Sequence, residues 1–275
     1  MSDDAHPFDQ GSFPQFGPDG TLYVAYEGAT PSSGYQQDAT IVARSTDGGA
    51  SFSNTEVGRV YDDLDCYPTF GGRQTLTGEH FRLNSFPSLS VDPLTGRLAV
   101  VWADNQGSGS CGTGGTFFTG TTSAQVKLVS GAWGSLSAPT RITTGTGDKV
   151  FPAVAMRGGV IAASYYTRDY ASTHSAATCN VAIGSTAPGF HPVIVPSSVC
   201  LDYAAASSTS GFAESRLTTQ GSNPYIQFAN GSFIGDYSGI AFGSDGMAHP
   251  VWTDFRGNPG VTTSNQDVYT QAFRP

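Results

Sequence analysis

The amino-acid sequence predicts an all-β protein in which one hairpin unit occurs four times. The copies span residues 13–26, 86–102, 151–165 and 237–252. Each copy is a short alternating apolar run, a turn that contains glycine, and a second run that ends in an aromatic residue, a pattern typical of a β-hairpin. Because such a unit cannot bury its own apolar face, we expect the copies to stack and to share one core.

Each hairpin is followed by further apolar runs of strand length. A third run follows in every copy, at residues 40–44, 124–129, 180–183 and 267–273. A fourth run follows in the first three copies, at residues 56–60, 140–143 and 192–195. Four antiparallel strands repeated in order are typical of the blade of a β-propeller, so the sequence predicts a single propeller domain over residues 1–275.

The predicted blades cover residues 13–60, 86–144, 151–198 and 237–275, with long insertions at 61–85 and 201–236. The last blade ends after its third strand, and residues 1–12 are too short and polar to make a good closing strand. Two arrangements therefore stay open. The chain is either an irregular four-bladed ring or the later part of a longer propeller.

The turn between the third and fourth strands of the first blade has a recognisable pattern. Residues 45–52 are STDGGASF, which matches the Asp-box pattern S-x-D-x-G-x-x-W with Phe52 in place of tryptophan. We expect Asp47 to accept hydrogen bonds from backbone N–H groups of the turn, and the glycines to adopt its positive φ angles. The motif indicates a propeller and by itself predicts no chemistry.

Composition and charge exclude two classes of function. The net charge is −9 and the 13 basic residues are scattered along the chain, whereas a nucleic-acid surface needs clustered lysine or arginine. No apolar run reaches the length of a membrane span. We therefore expect no nucleic-acid partner and no membrane-spanning segment.

The four cysteines, at positions 66, 111, 179 and 200, lack the spacing of a zinc site. Cys179 and Cys200 flank a predicted strand–turn–strand and are expected to form one disulfide, with Cys66 and Cys111 forming a second. Disulfides and a low lysine content predict a secreted or extracytoplasmic protein. The alternative is that all four are buried free thiols.

The phrases GPDGTLYVAYEG, SVDPLTGRLAVVWADN and GSDGMAHPVWTDFR, together with the Asp-box turn, resemble those of bacterial secreted sialidase-like (BNR/Asp-box repeat) β-propellers. The resemblance spans nearly the whole chain and implies a six-bladed fold. It also implies three arginines on a substrate carboxylate, a tyrosine nucleophile activated by glutamate, and an aspartic acid as acid/base. The family's first arginine is followed two residues later by proline, whereas here Asn84 follows Arg82.

Strand topology places the candidate site residues at one mouth of the propeller channel. In an antiparallel blade, the start of the first strand and the end of the second lie at the same end. Both long insertions lead into first strands and therefore overhang the same mouth. The catalytic candidates are Arg82, Arg168, Arg256, Glu214, Tyr225 and Asp63, with Tyr203 as an alternative nucleophile. The substrate-binding candidates are Arg73, Asp104, Asp169, Asp236, Tyr237 and Asp254.

Two interpretations of the arginines stay open. Arg82, Arg168 and Arg256 together could clamp a carboxylate, because a guanidinium group matches it with two hydrogen bonds. Alternatively, each arginine pairs with a neighbouring aspartate and joins adjacent blades. Asp62, Asp63 and Asp65 offer oxygen ligands for Ca²⁺, but they lack the spacing of a known calcium loop. A polar turn is the simpler interpretation there, so we expect no metal and no cofactor.

Two functions fit these observations. The first is a secreted, non-catalytic propeller that binds a glycan, a glycoconjugate or another protein. The second is an exo-glycosidase of the sialidase type that acts on a sugar bearing a carboxylate. The missing proline after Arg82 and the lack of a clear Tyr/Glu pair favour the first, and fold alone does not distinguish them.

Overall fold

The computed structural model of the chain describes residues 3–6, 9–30, 38–60, 69–70, 73–74, 82–105, 110–111, 118–119, 123–170, 200–222, 234–254 and 267–275. Four antiparallel sheets follow one another along these residues, and neighbouring strands in each sheet are consecutive or nearly so in the chain. Among the described residues, no helix has the length and apolar character needed to cross a membrane.

The first sheet is a four-stranded meander that pairs its strands in chain order. Its strands are β1 (Gln10–Phe16), β2 (Leu22–Ala29), β3 (Asp38–Ser45) and β4 (Ser53–Arg59). A two-stranded ladder follows, formed by β5 (Thr69–Phe70) and β6 (Arg73–Gln74).

The second sheet has the same order of strands, with a short additional hairpin. Its strands are β7 (Ser88–Val91), β8 (Leu98–Asn105), the paired β9 (Ser110–Cys111) and β10 (Phe118–Thr119), β11 (Ala124–Ala132), β12 (Ser135–Leu136) and β13 (Thr140–Arg141). Both β12 and β13 pair with β11, so together they take the place of a fourth strand.

The third and fourth sheets complete the described fold. The third contains β14 (Lys149–Arg157), β15 (Val160–Thr167), β16 (Asp202–Ser207) and β17 (Ser215–Arg216). The fourth contains β18 (Gly239–Phe242), β19 (Ala248–Asp254) and β20 (Asp267–Thr270). All four predicted hairpins are therefore present, as β1–β2, β7–β8, β14–β15 and β18–β19.

The third sheet departs from the sequence-based blade boundaries. Its third and fourth strands, β16 and β17, lie at Asp202–Ser207 and Ser215–Arg216, inside the range 201–236 that we expected to be an insertion. The strands predicted at 180–183 and 192–195 lie outside the described residues. The sequence of β16 is DYAAAS, and its run of small alanines lacks the β-branched and aromatic residues that usually indicate a strand.

The first copy of the repeat begins two residues earlier in the structure than the sequence pattern predicted. Pairing in the first sheet is interrupted between Gln10 and Phe13, and pairing in the third sheet is interrupted between Val150 and Ala153. These two β-bulges are equivalent, so Gly11, rather than Phe13, matches Phe151. Phe13 and Pro14 follow the bulge of the first sheet, whereas Phe151 and Pro152 form the bulge of the third, so the two Phe-Pro pairs are not structurally equivalent.

Each sheet packs its face against the face of the next sheet along the chain. One apolar cluster joins the first and second sheets, including Tyr23 and Trp102. A second joins the second and third sheets, including Leu128 and Tyr165. A third joins the third and fourth sheets, where the rings of Tyr203 and Trp252 stack with centroids 4.5 Å apart. Face-to-face stacking of successive meanders is the blade packing of a propeller.

The second and third sheets are also joined by side chains that reach from one inner strand to the next. The backbone N–H groups of Val154 and Met156 donate to the hydroxyl groups of Ser88 (3.2 Å) and Ser90 (2.9 Å). No backbone pairing links β7 to β14. The serines therefore satisfy edge N–H groups that would otherwise lack a partner.

Asp92 continues this ladder beyond the end of β7. Its carboxylate accepts from the backbone N–H groups of Gly158 (3.0 Å) and Gly159 (2.8 Å) of the third sheet, and from Leu94 and Thr95 in its own turn. Burial acts to raise the pKa of this carboxyl group, but the hydrogen bonds outweigh it and hold the pKa below its ordinary value. Asp92 is fully buried, so its two carboxylate oxygens lie inside the interface between the second and third sheets.

The turn between β3 and β4 forms as the sequence predicted. The carboxylate of Asp47 accepts from the backbone N–H of Ser51 at 2.9 Å and from the hydroxyl groups of Ser51 and Ser45. These bonds lower the pKa of Asp47 to about 2. Gly48 and Gly49 adopt φ angles of 74° and 91°, and Phe52 packs on the apolar face of the first sheet.

We predict that Asp92→Ala lowers the free energy of unfolding by about 1–3 kcal/mol, because it removes a buried acceptor that holds backbone N–H groups of two sheets. Asp245→Ala is the matched control, since Asp245 holds a similar turn but is exposed and bonds only within its own hairpin. Urea denaturation measures both. Equal losses of stability in the two variants would show that the bonds between sheets do not matter.

Candidate functional site

The inner strands β1, β7, β14 and β18 line one channel, as a propeller requires. At one end of this channel the lining residues are those at the starts of the inner strands. They are Gly11–Phe13, Phe86–Ser88, Phe151–Pro152 and Asp236–Ser238. We call this end the mouth. In the first and third sheets, pairing places the ends of the second strands at the same level, with Gln10 opposite Glu27 and Lys149 opposite Thr167.

The two β-bulges shape the mouth. Gly11 has φ of 64°, and a Cβ atom there would lie 2.3 Å from Cγ of Phe86, so only glycine fits. At the equivalent position Phe151 adopts φ of 50°, which is unusual for a residue with a side chain. Its ring lies edge-on to Tyr166 and its carbonyl accepts from the hydroxyl of Ser238 at 2.7 Å. These contacts fix the position of the segment that precedes β18.

Arg82, Asn84 and Asp236 form a hydrogen-bonded cluster at the mouth, across 152 or more positions of sequence. Nη1 of Arg82 lies 3.2 Å from Oδ2 of Asp236, and Nδ2 of Asn84 donates to Oδ1 of Asp236 at 2.9 Å. Oδ1 of Asn84 accepts from the backbone N–H of Phe86 at 3.2 Å. The segments before the inner strands of the second and fourth sheets thus meet, as strand topology predicted. Arg82 therefore forms an ion pair, but with an aspartate that precedes the fourth sheet and not with the neighbouring aspartate of an adjacent blade that the second interpretation of the arginines expected.

Tyr237 follows this cluster and is largely exposed to solvent. Its relative exposure is 72%, the second highest among the large apolar and aromatic residues described. The mouth therefore combines an accessible aromatic ring with an immobilised carboxylate and an amide group. This combination suits a ligand that has both an apolar face and hydroxyl groups.

Three further acidic candidates make contacts inside the sheets. Asp104 is buried and forms an ion pair with Lys127 of the neighbouring strand. Asp169 forms an ion pair with Lys149. Its Oδ1 also accepts from the backbone N–H of Gly147 at 2.8 Å. Asp254 is buried and accepts from the indole N–H of Trp252 at 3.2 Å. These contacts hold strand ends together at the mouth.

The three-arginine clamp stays a prediction. Arg168 lies beyond the end of β15, where its backbone N–H donates to the carbonyl of Asp148 at 3.2 Å. Arg256, Asp63 and Tyr225 lie outside the described residues, as do Cys66 and Cys179. The side chains of Arg73 and Cys111 also lie outside the description. Cys200 is buried and disulfide-bonded, and both predicted pairings stay untested.

Glu214 lies beside two tyrosines that the sequence did not single out, and it is not among the residues that line the mouth. It precedes β17 and interacts with the hydroxyl groups of Tyr165 and Tyr170. Burial raises the pKa of its carboxyl group, against the lowering effect of these hydroxyls and of Lys149. Tyr203 is directed to the other face of the sheet, toward Trp252, so a Tyr203–Glu214 pair does not form. Side chains alternate along β15, so Tyr165 and Tyr166 lie on opposite faces of the sheet. This alternation could have indicated from the sequence that only one of them can lie on the face of Glu214.

The opposite end of the channel holds a larger cavity of about 480 Å³. Its walls come from all four inner strands and include Phe13, Leu89, Met156 and Phe242. Phe16 and Leu94, 68% and 69% exposed, lie at this end. Within the described part of the chain, no three His, Cys, Asp or Glu side chains gather into a group that could hold a metal ion.

Comparisons with known proteins identify no family for this chain. No protein-family model matches the chain, and no curated protein is detectably similar to it. Among solved structures, an α-L-arabinanase from Penicillium chrysogenum complexed with arabinobiose is 13% identical, with a TM-score of 0.48 over 97% of this chain and 63% of that one. A GH93 α-L-arabinofuranosidase from Fusarium graminearum, in complex with arabinobiose, is 11% identical, with a TM-score of 0.44 over 99% and 65%.

A protein of unknown function from Dyadobacter fermentans is 15% identical, with a TM-score of 0.48 over 98% of this chain and 62% of that one. The chain thus spans less than two thirds of each of these structures. The propeller architecture rests on the sheets and the channel described above, and the sialidase-like resemblance stays a prediction.

We predict that stability falls as the pH rises through the titration of Glu214. Because burial raises the folded-state pKa above the ordinary value near 4.5, the folded protein holds this proton more tightly than the unfolded chain. Glu214→Gln should therefore stabilise the protein more at about pH 8 than at about pH 4. Urea unfolding of both proteins at the two pH values checks this, and an equal difference at both would contradict it.

Proposed function

We propose that this protein is a carbohydrate-binding propeller whose ligand lies at the mouth. The observation that supports this most directly is the exposed ring of Tyr237 next to Asp236, at the end of a channel formed by four sheets. A sugar presents C–H groups on one face and hydroxyl groups around its edge. The ring offers a surface for that face, and the carboxylate offers acceptors for the hydroxyl groups.

The polar groups at the mouth are held in place before any ligand arrives. Arg82 and Asn84 each bind one oxygen of Asp236, and Asn84 is itself fixed by the backbone of Phe86. A carboxylate oxygen that accepts one hydrogen bond still has a lone pair for a second. Binding then costs little side-chain entropy, because the acceptor is already ordered.

Glycoside hydrolysis is less well supported than binding. Outside the sialidases, whose nucleophile is a tyrosine, it generally needs two carboxyl groups that flank the scissile bond, about 5–10 Å apart. Of the acidic candidates described, Asp104 and Asp169 form ion pairs with lysines, and Asp254 is buried against Trp252. Glu214 lies beside Tyr165 and Tyr170 and is not among the residues that line the mouth. We further propose a secreted location, which the disulfide at Cys200 favours.

We predict that Tyr237→Ala weakens carbohydrate binding about tenfold, equivalent to about 1.4 kcal/mol, because the ligand loses its stacking surface. The matched control is Phe16→Ala, which removes another exposed ring at the opposite end of the channel. An array of oligosaccharides, arabinobiose among them, identifies ligands, and isothermal titration calorimetry measures the affinities. Absence of any carbohydrate ligand rejects the proposal, and equal losses in both variants place the site elsewhere.

The sialidase-type alternative makes a separate prediction. That chemistry requires Arg82 on the carboxylate of the substrate, whereas Asp236 occupies that arginine. We therefore expect the wild type to release fluorophore from a fluorogenic sialoside no faster than the Arg82→Ala variant does. Release that depends on Arg82 would restore the exo-glycosidase hypothesis.

A further inference from the structure

We infer that the Asp236–Arg82 ion pair makes the mouth select neutral sugars over sugars that bear a carboxylate. This inference rests on the proposed carbohydrate-binding function and names the class of ligand. Side-chain exposure is 31% for Arg82 and 17% for Asp236, so both members of the pair are within reach of a ligand. The positive charge is present at the mouth, but it is already neutralised by the protein's own carboxylate.

The other described charges at this end do not restore a positive field. Asp104 with Lys127 and Asp169 with Lys149 are locally neutral pairs. At the same level, the basic residue Arg168 lies beyond the end of β15, and the acidic residues Glu27 and Asp254 are buried at the ends of β2 and β19. The protein as a whole has a net charge of −9.

A carboxylate on the ligand would therefore be disfavoured at the position where a hydroxyl group can hydrogen-bond to Asp236. A hydroxyl donates a hydrogen bond to Asp236, whereas a carboxylate has no proton to donate at neutral pH. It would face the like charge of Asp236 or would have to displace it from Arg82. Placing a repulsive group against the wrong ligand is an effective way to obtain specificity.

One isosteric substitution changes the net charge of the Arg82–Asp236 pair from zero to positive. Asp236→Asn keeps the shape and one oxygen acceptor but removes the negative charge that faces both Arg82 and the ligand. The paired ligands are a neutral oligosaccharide that binds the wild type and its counterpart in which the C6 hydroxyl is oxidised to a carboxylate. We expect the wild type to prefer the neutral ligand by about tenfold or more, and Asp236→Asn to reverse the preference. Binding of the acidic ligand should weaken as salt is raised.

Asp245→Asn serves as the matched control. It removes the same charge from an exposed turn at the other end of the channel, so the preference of the wild type should persist. If Asp236→Asn proves unfolded by circular dichroism, Arg82→Gln replaces it. That variant leaves Asp236 without its guanidinium partner and should discriminate against the acidic ligand even more strongly.

The outcomes separate the two proposals. If the wild type binds neither ligand, the proposed carbohydrate-binding function fails. If the wild type binds both ligands equally, or if Asp236→Asn keeps the preference of the wild type, the function stands and the role of the ion pair is overturned. A reversal that Asp245→Asn also shows would be a net-charge effect and would equally overturn it.

Discussion

The inner strand of each described sheet is an edge strand, so the backbone N–H groups on its open side pair with no neighbouring strand. The rest of the structure depends on how side chains supply hydrogen-bond acceptors to those groups. Between the second and third sheets, Ser88, Ser90 and Asp92 provide the acceptors. They occupy alternate positions, so all three point to the same face. The two serines meet N–H groups of β14, and Asp92 meets those of Gly158 and Gly159 in the turn after it. The spacing sets the register between two sheets that share no backbone pairing.

The same constraint locates the site. Once the inner strands are held side by side around a channel, the residues that precede them meet at one end. Arg82 and Asp236 are distant in sequence, yet they are brought within 3.2 Å because both precede inner strands. The third and fourth sheets add a second fixed point, where the hydroxyl of Tyr166 both donates to the carbonyl and accepts from the N–H of Thr253. The described part of the site is thus built on strand ends.

Local patterns predicted the hairpins and the Asp47 turn, because strand alternation and turn chemistry are properties of short segments. The shared mouth was also predictable, since antiparallel topology decides which strand ends lie together. Two features were missed because they depend on distant contacts. Strand β16 is rich in alanine, and it is a strand because β15 supplies its pairing. The partner of Arg82 lies in another sheet, and no sequence spacing connects it to Asp236.

The conformation of Phe151 indicates that the mouth has been shaped at some cost in stability. At the other end of the channel, the hairpin turns that follow the inner strands β1, β7 and β18 use glycine for this conformation, at Gly20, Gly96 and Gly246. At the mouth, the same left-handed conformation occurs at Gly11 in the first sheet but at Phe151 in the third. A non-glycine residue in this region is strained by about 1–3 kcal/mol unless its surroundings hold it there. The ring of Phe151 packs on Tyr166 and its carbonyl binds Ser238, one residue after Tyr237. A glycine would relieve the strain but would remove the packing that fixes the segment bearing Asp236 and Tyr237. Rigid placement of that segment is the property that a preorganised binding site needs.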